Sequence, residues 1–260
     1  MISCEDMIKI AIRSGCIVLE NGGETYRTEE TIVHIAKALG AKTASAFVTP
    51  TVIMFSYTDD DDHYHSAIRR ITKSSVNLQK VSQVNSLARR LERRQFTSDP
   101  KQVEALLDRI EKAPKNPNWL ICLGAALNSF CFAFMFGGHI LEGIFAFIIG
   151  LILRIALLGI VRFPLNSFVT SIFSGALIAF FAYLVGILGS ALGFEISSFI
   201  VMIATLMQVV PGLAIVNGIR DIISGDLVSG TARIIDAFMT AAALSTGAVT
   251  VFMIMSKFIG

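Results

Sequence analysis

Apolar residues follow one rhythm before residue 115 and another after Trp119. In the first stretch they recur at helical spacing over 4–19 (Ile8, Ala11, Ile12, Cys16, Leu19), and Asn21-Gly22-Gly23 stops the run. A second helix is expected over 25–39, ending at Gly40. The run 44–58, rich in Val, Thr, Ile and Phe and broken at Pro50, predicts two short strands, and Asp59–Asp62 reads as a solvated turn. Alternation through Ile68, Arg70 and Thr72 favours a third strand within 66–81. Charged amphipathic helices follow over 84–94 and 100–112, and Pro114 and Pro117 mark a linker. Beyond it the pattern becomes continuously apolar, with spans at 119–136, 142–161, 167–188, 196–217 and 232–257. Turns are expected at Gly137-Gly138, Phe163-Pro164, Gly189–Gly193 and Gly225–Gly230.

The charges obey the same division. Seventeen of the 22 Lys/Arg and 15 of the 20 Asp/Glu precede Asn118, leaving ten charges for the remaining 143 residues. The sequence therefore predicts an α+β domain over 1–115, of order ααβββαα, followed by an all-α polytopic membrane domain of about five transmembrane helices over 116–260. Arg162, Arg220 and Arg233 flank one set of turns, and the turns near 138 and 192 carry no Lys or Arg. That bias places the N-terminal domain in the cytoplasm and the C-terminus outside, with Lys257 as the exception. The start, Met1-Ile2-Ser3-Cys4-Glu5-Asp6, has no basic region and no cleavable apolar core.

Interleaved charge of both signs, with clusters only at Arg69-Arg70 and Arg89-Arg90/Arg93-Arg94, argues against nucleic acid as a partner. Cys4, Cys16, Cys122 and Cys131 form no CxxC pair, so neither a disulfide framework nor a zinc site is expected. Asp59–Asp62 with His63 and His65 reads as a flexible acidic tip, and no metal or cofactor is expected. No Ser/His/Asp spacing, nucleophile elbow or phosphate loop is present.

The densest polar stretch on the membrane side is 208–236, where half of the ten charges fall within 17 residues. Pro211 lacks an N–H and its ring clashes with the preceding turn, and Gly212 admits close approach. Irregular backbone at membrane depth survives only in a protein-lined or wet cavity. Gln208, Pro211, Gly212, Asn217, Arg220 and Asp221 are therefore candidate substrate contacts, weighed evenly against an ordinary proline kink with solvated flanks. Arg154, inside the second span, either snorkels along the face of Leu158 and Arg162 or meets a substrate carboxylate. Asp236 and Asp226 are candidate proton-coupling carboxylates. Glu142, Glu195 and His139 are expected in solvent at outer helix ends. In the polar half, Asn21, Gly23, Glu24, Thr25, Tyr26 and Arg27 crowd a helix junction, and Thr49, Pro50 and Thr51 a strand turn. These would serve a membrane-anchored enzyme or a ligand sensor, or simply cap helices.

Asn21-Gly22-Gly23-Glu24-Thr25-Tyr26-Arg27, Glu29-Glu30-Thr31-Ile32, Phe47-Val48-Thr49-Pro50-Thr51 and Val84-Asn85-Ser86-Leu87-Ala88-Arg89-Arg90-Leu91 resemble the N-terminal blocks of the threonine/serine exporter family. Val210-Pro211-Gly212, Asn217-Gly218-Ile219-Arg220-Asp221 and Gly225-Asp226-Leu227, with Gly230 and Arg233, are similar to its membrane hallmark, so the resemblance runs along essentially the whole chain. It implies a secondary-active exporter in the plasma membrane, moving threonine and serine outward on the proton gradient. Two-component relatives are linked to C4-dicarboxylate export. The full-length form has about ten spans, so five spans here resemble the larger subunit of a split system. The resemblance then implies a small hydrophobic membrane subunit as partner, beside lipid, a small-molecule substrate and a homo-oligomeric contact. Mixed charge in 208–236 fits a zwitterion, while Arg154 and Arg220 would suit a dicarboxylate.

Overall fold

The structure is a computed structural model describing residues 3–93, 99–114, 116–160 and 166–259. Arg94, Arg162 and the turn expected at Phe163-Pro164 lie outside the described residues. The chain forms two compact units, Met1–Pro114 with Leu213–Ile235, and Lys115–Gly212 with Asp236–Gly260. Residues 213–235 fall on the membrane side of the expected division at 115/116, yet they pack with the first unit, where their polar groups find partners.

The first unit opens with α1 (Cys4–Glu20) and α2 (Thr25–Ala38), then a sheet of β1 (Thr43–Thr49), β2 (Val52–Thr58) and β3 (Tyr64–Arg70), then α3 (Leu78–Glu92) and α4 (Pro100–Glu111). Gly22, at φ +90°, ends α1, and the Gly23 N–H donates to the Val18 carbonyl at 2.9 Å across the six-residue loop typical of such ends. The sheet is antiparallel in the order β1-β2-β3, and Thr49 pairs with Val52, so Pro50 and Thr51 make a two-residue hairpin turn. Period-two alternation decides its faces: Val48, Ile53, Phe55 and Tyr57 enter the core with Met7, Ile10, Ile32 and Ile35, while Phe47, Met54 and Ile68 stay exposed. The third strand is shorter than its 66–81 window because the Asn77 side chain caps α3, accepting from the Lys80 N–H at 3.2 Å, and so the helix begins six residues before 84. The unit is completed by α9 (Gly212–Ile223) from Leu213 onward and the first turns of α10 (Leu227–Ile259).

The second unit holds α5 (Asn118–Met135), α6 (Ile140–Ile160), α7 (Ser167–Leu192), α8 (Ser198–Leu206) and α10 from Asp236. Among the described residues four helices, α5, α6, α7 and α10, are long and apolar enough to cross a membrane. The span expected over 196–217 is not one helix. Its nine-residue α8 rises only about 14 Å, roughly half of a hydrocarbon layer, and residues 207–211 are not helical. Pro211 offers no donor to the Met207 carbonyl, and the Gly212 N–H turns back to the Val210 carbonyl at 2.8 Å. Elsewhere the helices touch through small residues: a Cβ on Gly175 would strike the Leu244 carbonyl, and one on Gly247 the Ile172 carbonyl, so α7 and α10 meet backbone to backbone. Gly124, on the stripe Gly124/Asn128, has nothing within 4 Å of its Cβ position.

Candidate functional site

Two polar clusters stand out, one in each unit. In the first, α9 and the start of α10 fold back on each other after Gly225, at φ +92°. A Cβ on Gly230 would lie 2.7 Å from the Gly218 carbonyl, so only glycine permits this crossing. The closeness brings Asp221 of α9, with no exposed surface, against Arg233 of α10, Nε to Oδ2 at 3.1 Å. The same carboxylate accepts from the Thr25 backbone N–H at 3.2 Å. Glu24, the N-cap residue of α2, makes no side-chain cap bond, so Asp221 supplies the negative group that the helix N-terminus favours. Arg233 also donates from Nη2 to the Gly23 carbonyl at 2.9 Å, and Asn217 from Nδ2 to the Gly22 carbonyl at 3.0 Å. Arg220 pairs with Glu24, whose other oxygen lies 2.6 Å from Arg27 Nε. Ser229 donates to the Val48 carbonyl at 3.1 Å, and Glu29 accepts from the Val48 N–H at 2.8 Å.

Thus Asn217, Arg220 and Asp221 meet the Gly22–Thr25 segment rather than Gln208. The mixed charge expected to grip a zwitterion is taken up internally, because each buried charge requires a local counter-charge. Burial pushes the Asp221 carboxyl up against the opposing Thr25 hydrogen bond and Arg233 charge. Burial also raises Glu29, outweighing its bond from Val48. For Glu24 burial acts upward too, but hydrogen bonds from Arg220 and Tyr26 and the charges of Arg27 and Arg220 outweigh it and hold the carboxyl low. Asn21 is occupied structurally, donating to the Ile17 carbonyl at 2.8 Å. The Thr49 hydroxyl accepts from the Val52 N–H at 3.2 Å and the Thr51 N–H at 3.4 Å, which accounts for Thr49, Pro50 and Thr51 as turn chemistry. Tyr26 and Arg27 border an open groove of about 450 Å³ with His34, Asn85 and Arg89.

The second cluster lies at the helix break. Gln208, just past α8, donates from Nε2 to the Gly150 carbonyl of α6 at 3.3 Å and to the Ser129 hydroxyl of α5 at 3.4 Å. Its Oε1 is buried without a partner, and so is Nε of Arg154, one turn along α6 from Gly150. One unused acceptor therefore lies at the interruption, and one unused cationic donor lies one turn along α6 from the carbonyl that Gln208 contacts; each costs free energy until water or another polar group completes it.

Glu142 corrects an expectation. It is buried rather than solvated, accepting from the His139 N–H at 2.9 Å and the Ser197 N–H at 3.1 Å, and so ties the start of α6 to the cap of α8. Its place in the first turn of a helix was the sequence signal for such capping. Glu195 and His139 are exposed as expected. Asp236 lies exposed on α10. Asp226 sits at the start of α10, with Oδ1 3.5 Å from the Ser229 N–H and Oδ2 buried and unpartnered. Ser129, Glu29 and Ser229 carry no sequence signal of their polar contacts, since a lone hydroxyl or carboxylate on a helix has no spacing pattern.

Residues 9–255 match the profile of the family described as "Putative threonine/serine exporter". The chain belongs to this family. It is a membrane transporter, not an enzyme. It is similar to the "Probable succinate transporter subunit YjjP" of Klebsiella aerogenes, 23% identical over 228 residues covering 86% of this chain and 84% of that protein. The protein of the same description in Escherichia coli K12 is 23% identical over 244 residues, covering 93% and 91%. No solved structure matches the chain.

Proposed function

We propose that the chain is one subunit of a secondary-active exporter for small carboxylates, with a C4-dicarboxylate of the succinate type as the first candidate. The observation that carries this is the unused Gln208 Oε1 at the break, with the unused Arg154 Nε one turn along α6 from the Gly150 carbonyl that Gln208 contacts. A guanidinium takes a carboxylate with charge-assisted hydrogen bonds, and the amide oxygen accepts from a protonated carboxyl or a hydroxyl of the same solute. Relatives named as succinate transporter subunits fit this choice. A threonine/serine substrate is the second reading. The family description favours it, and the Gln208 amide oxygen would accept from an ammonium or hydroxyl group. It lacks a carboxylate counter-charge for the ammonium, since Asp221 and Glu24 are paired with Arg233 and Arg220.

The N-terminal unit faces the cytoplasm in this reading, supported by the arginine bias of the turns. The partner is a small hydrophobic membrane subunit, in keeping with relatives named as subunits. Proton coupling is assigned to Asp226, whose Oδ2 is buried without a partner, ahead of exposed Asp236. Proteoliposomes containing the chain with its partner, loaded with labelled succinate, threonine or serine and given a pH gradient, test the assignment. Gradient-dependent succinate flux supports it, threonine or serine flux alone transfers it to the second reading, and no flux with any of them removes it.

A further inference from the structure

We propose that Cys4, Asp59 and His65 form a binding site for a divalent cation of the zinc class, with His63 as the nearest fourth donor. The three ligand atoms come from separate places in the chain: the first turn of α1, the residue after β2, and β3. They lie within 4.8 Å of one another. Cys4 Sγ is 3.5 Å from His65 Nε2, His65 Nε2 is 2.9 Å from Asp59 Oδ2, and His63 Nδ1 is 3.6 Å from the same Asp59 oxygen. Donors placed tetrahedrally at zinc bond lengths sit about 3.3–3.8 Å apart. Within the triad the Cys4–His65 separation already falls in that range and the His65–Asp59 separation opens by a few tenths of an ångström, while the His63–Asp59 separation fits as well.

The donors are held from behind. The His65 ring stacks on Tyr57, centroids 4.9 Å apart, and Tyr57 is buried in the sheet core. Asp59 Oδ1 accepts from the backbone N–H groups of Asp61 at 3.0 Å and His63 at 2.9 Å, leaving Oδ2 for the cluster. Such supports orient ligands before an ion arrives. The donor set chooses the ion: thiolate with imidazole and one carboxylate suits zinc, whereas magnesium and calcium prefer oxygen alone. Asp60, Asp61 and Asp62 add negative potential at the mouth of the site. An ion there would staple the first turn of α1 to the β2–β3 hairpin, a role separate from the solute site at Gln208.

The test uses the full chain, reduced, purified in detergent and stripped with a chelator, titrated with Co(II) as a spectroscopic probe. The expected result is a thiolate-to-cobalt charge-transfer band saturating at one equivalent per chain, bleached by Zn(II), with zinc raising the Tm. Cys4→Ser abolishes the band, His65→Ala weakens cobalt binding about tenfold or more, and Cys16→Ser leaves it intact. Melting without metal establishes that each variant is folded. The absence of a saturable band in the unaltered chain, or its persistence in Cys4→Ser, overturns the site.

Discussion

Asp221 carries two obligations at once, the Arg233 charge and the Thr25 N–H, and both are met inside a fully buried environment. Asp221→Asn keeps an oxygen for Thr25 but leaves Arg233 buried without its counter-charge, a loss of about 3–5 kcal/mol. Thermal melting in detergent should show a large drop in Tm, larger still for Asp221→Ala; equal Tm values would mean that the pair contributes nothing. Glu24 gives a pH dependence of known sign. Its carboxyl is held below the ordinary 4.5, so its contribution is complete above that value and is lost as pH falls through the lowered one. Glu24→Gln should therefore flatten the acid limb of the Tm–pH curve while lowering its neutral plateau. In the proposed solute site, Arg154→Gln should remove a charge-assisted contact of about 1.5–3 kcal/mol, roughly 10- to 100-fold in apparent substrate affinity. Arg154→Lys keeps the charge without the planar fork and should retain part of the flux. Unchanged transport by Arg154→Gln would release this residue from the solute site.

At the scale of elements, the decisive feature is that the fourth apolar run is interrupted. Nine helical residues cannot cross the lipid alone, and Pro211, which withholds its N–H from the Met207 carbonyl, keeps the five residues after them out of the helix. Pro211→Ala restores the donor and should lengthen the helix, lowering flux several-fold while leaving expression and Tm intact. Flux equal to that of the unaltered protein would show that the interruption is dispensable. The crossing of α9 with α10 depends on Gly230 in the same direct way, since any side chain meets the Gly218 carbonyl and Ile222. Gly230→Val should cost about 1–3 kcal/mol by overpacking and should separate Asp221 from Arg233. Combined with Asp221→Asn it should cost less than the sum of the two, a coupling that a double-mutant cycle measures.

Over the whole molecule, the family and the membrane helices agree on transport, and in the proposed function the choice of substrate falls to charge near the break. With the proposed cytoplasmic N-terminal unit, a membrane-impermeant maleimide should label exposed Cys4 in inside-out vesicles and spare it in right-side-out ones. Labelling in the opposite vesicles would invert the topology.

Hydropathy alone was enough to separate a charged half from an apolar one, and local chemistry was enough for most of the small elements. Gly22-Gly23 ended α1, Pro50-Thr51 turned a hairpin, and Pro211 broke a helix, because each depends on backbone sterics within a few residues. The start of α3 is not legible in the sequence, since Asn77 looks like any polar residue until its cap forms. Partnership across long separations was invisible. Asp221 with Thr25, Arg220 with Glu24 and Asn217 with Gly22 lie almost two hundred positions apart, and only the folded chain decides which counter-charge a buried group receives. The same is true of Gln208 with Ser129 and Gly150. Sequence fixes where polar groups and helix breaks occur, because these follow from short-range sterics and solvation. Tertiary structure alone distributes those groups between an internal ion-pair network and the polar surroundings of the helix break, because electrostatic pairing is settled by distance in space.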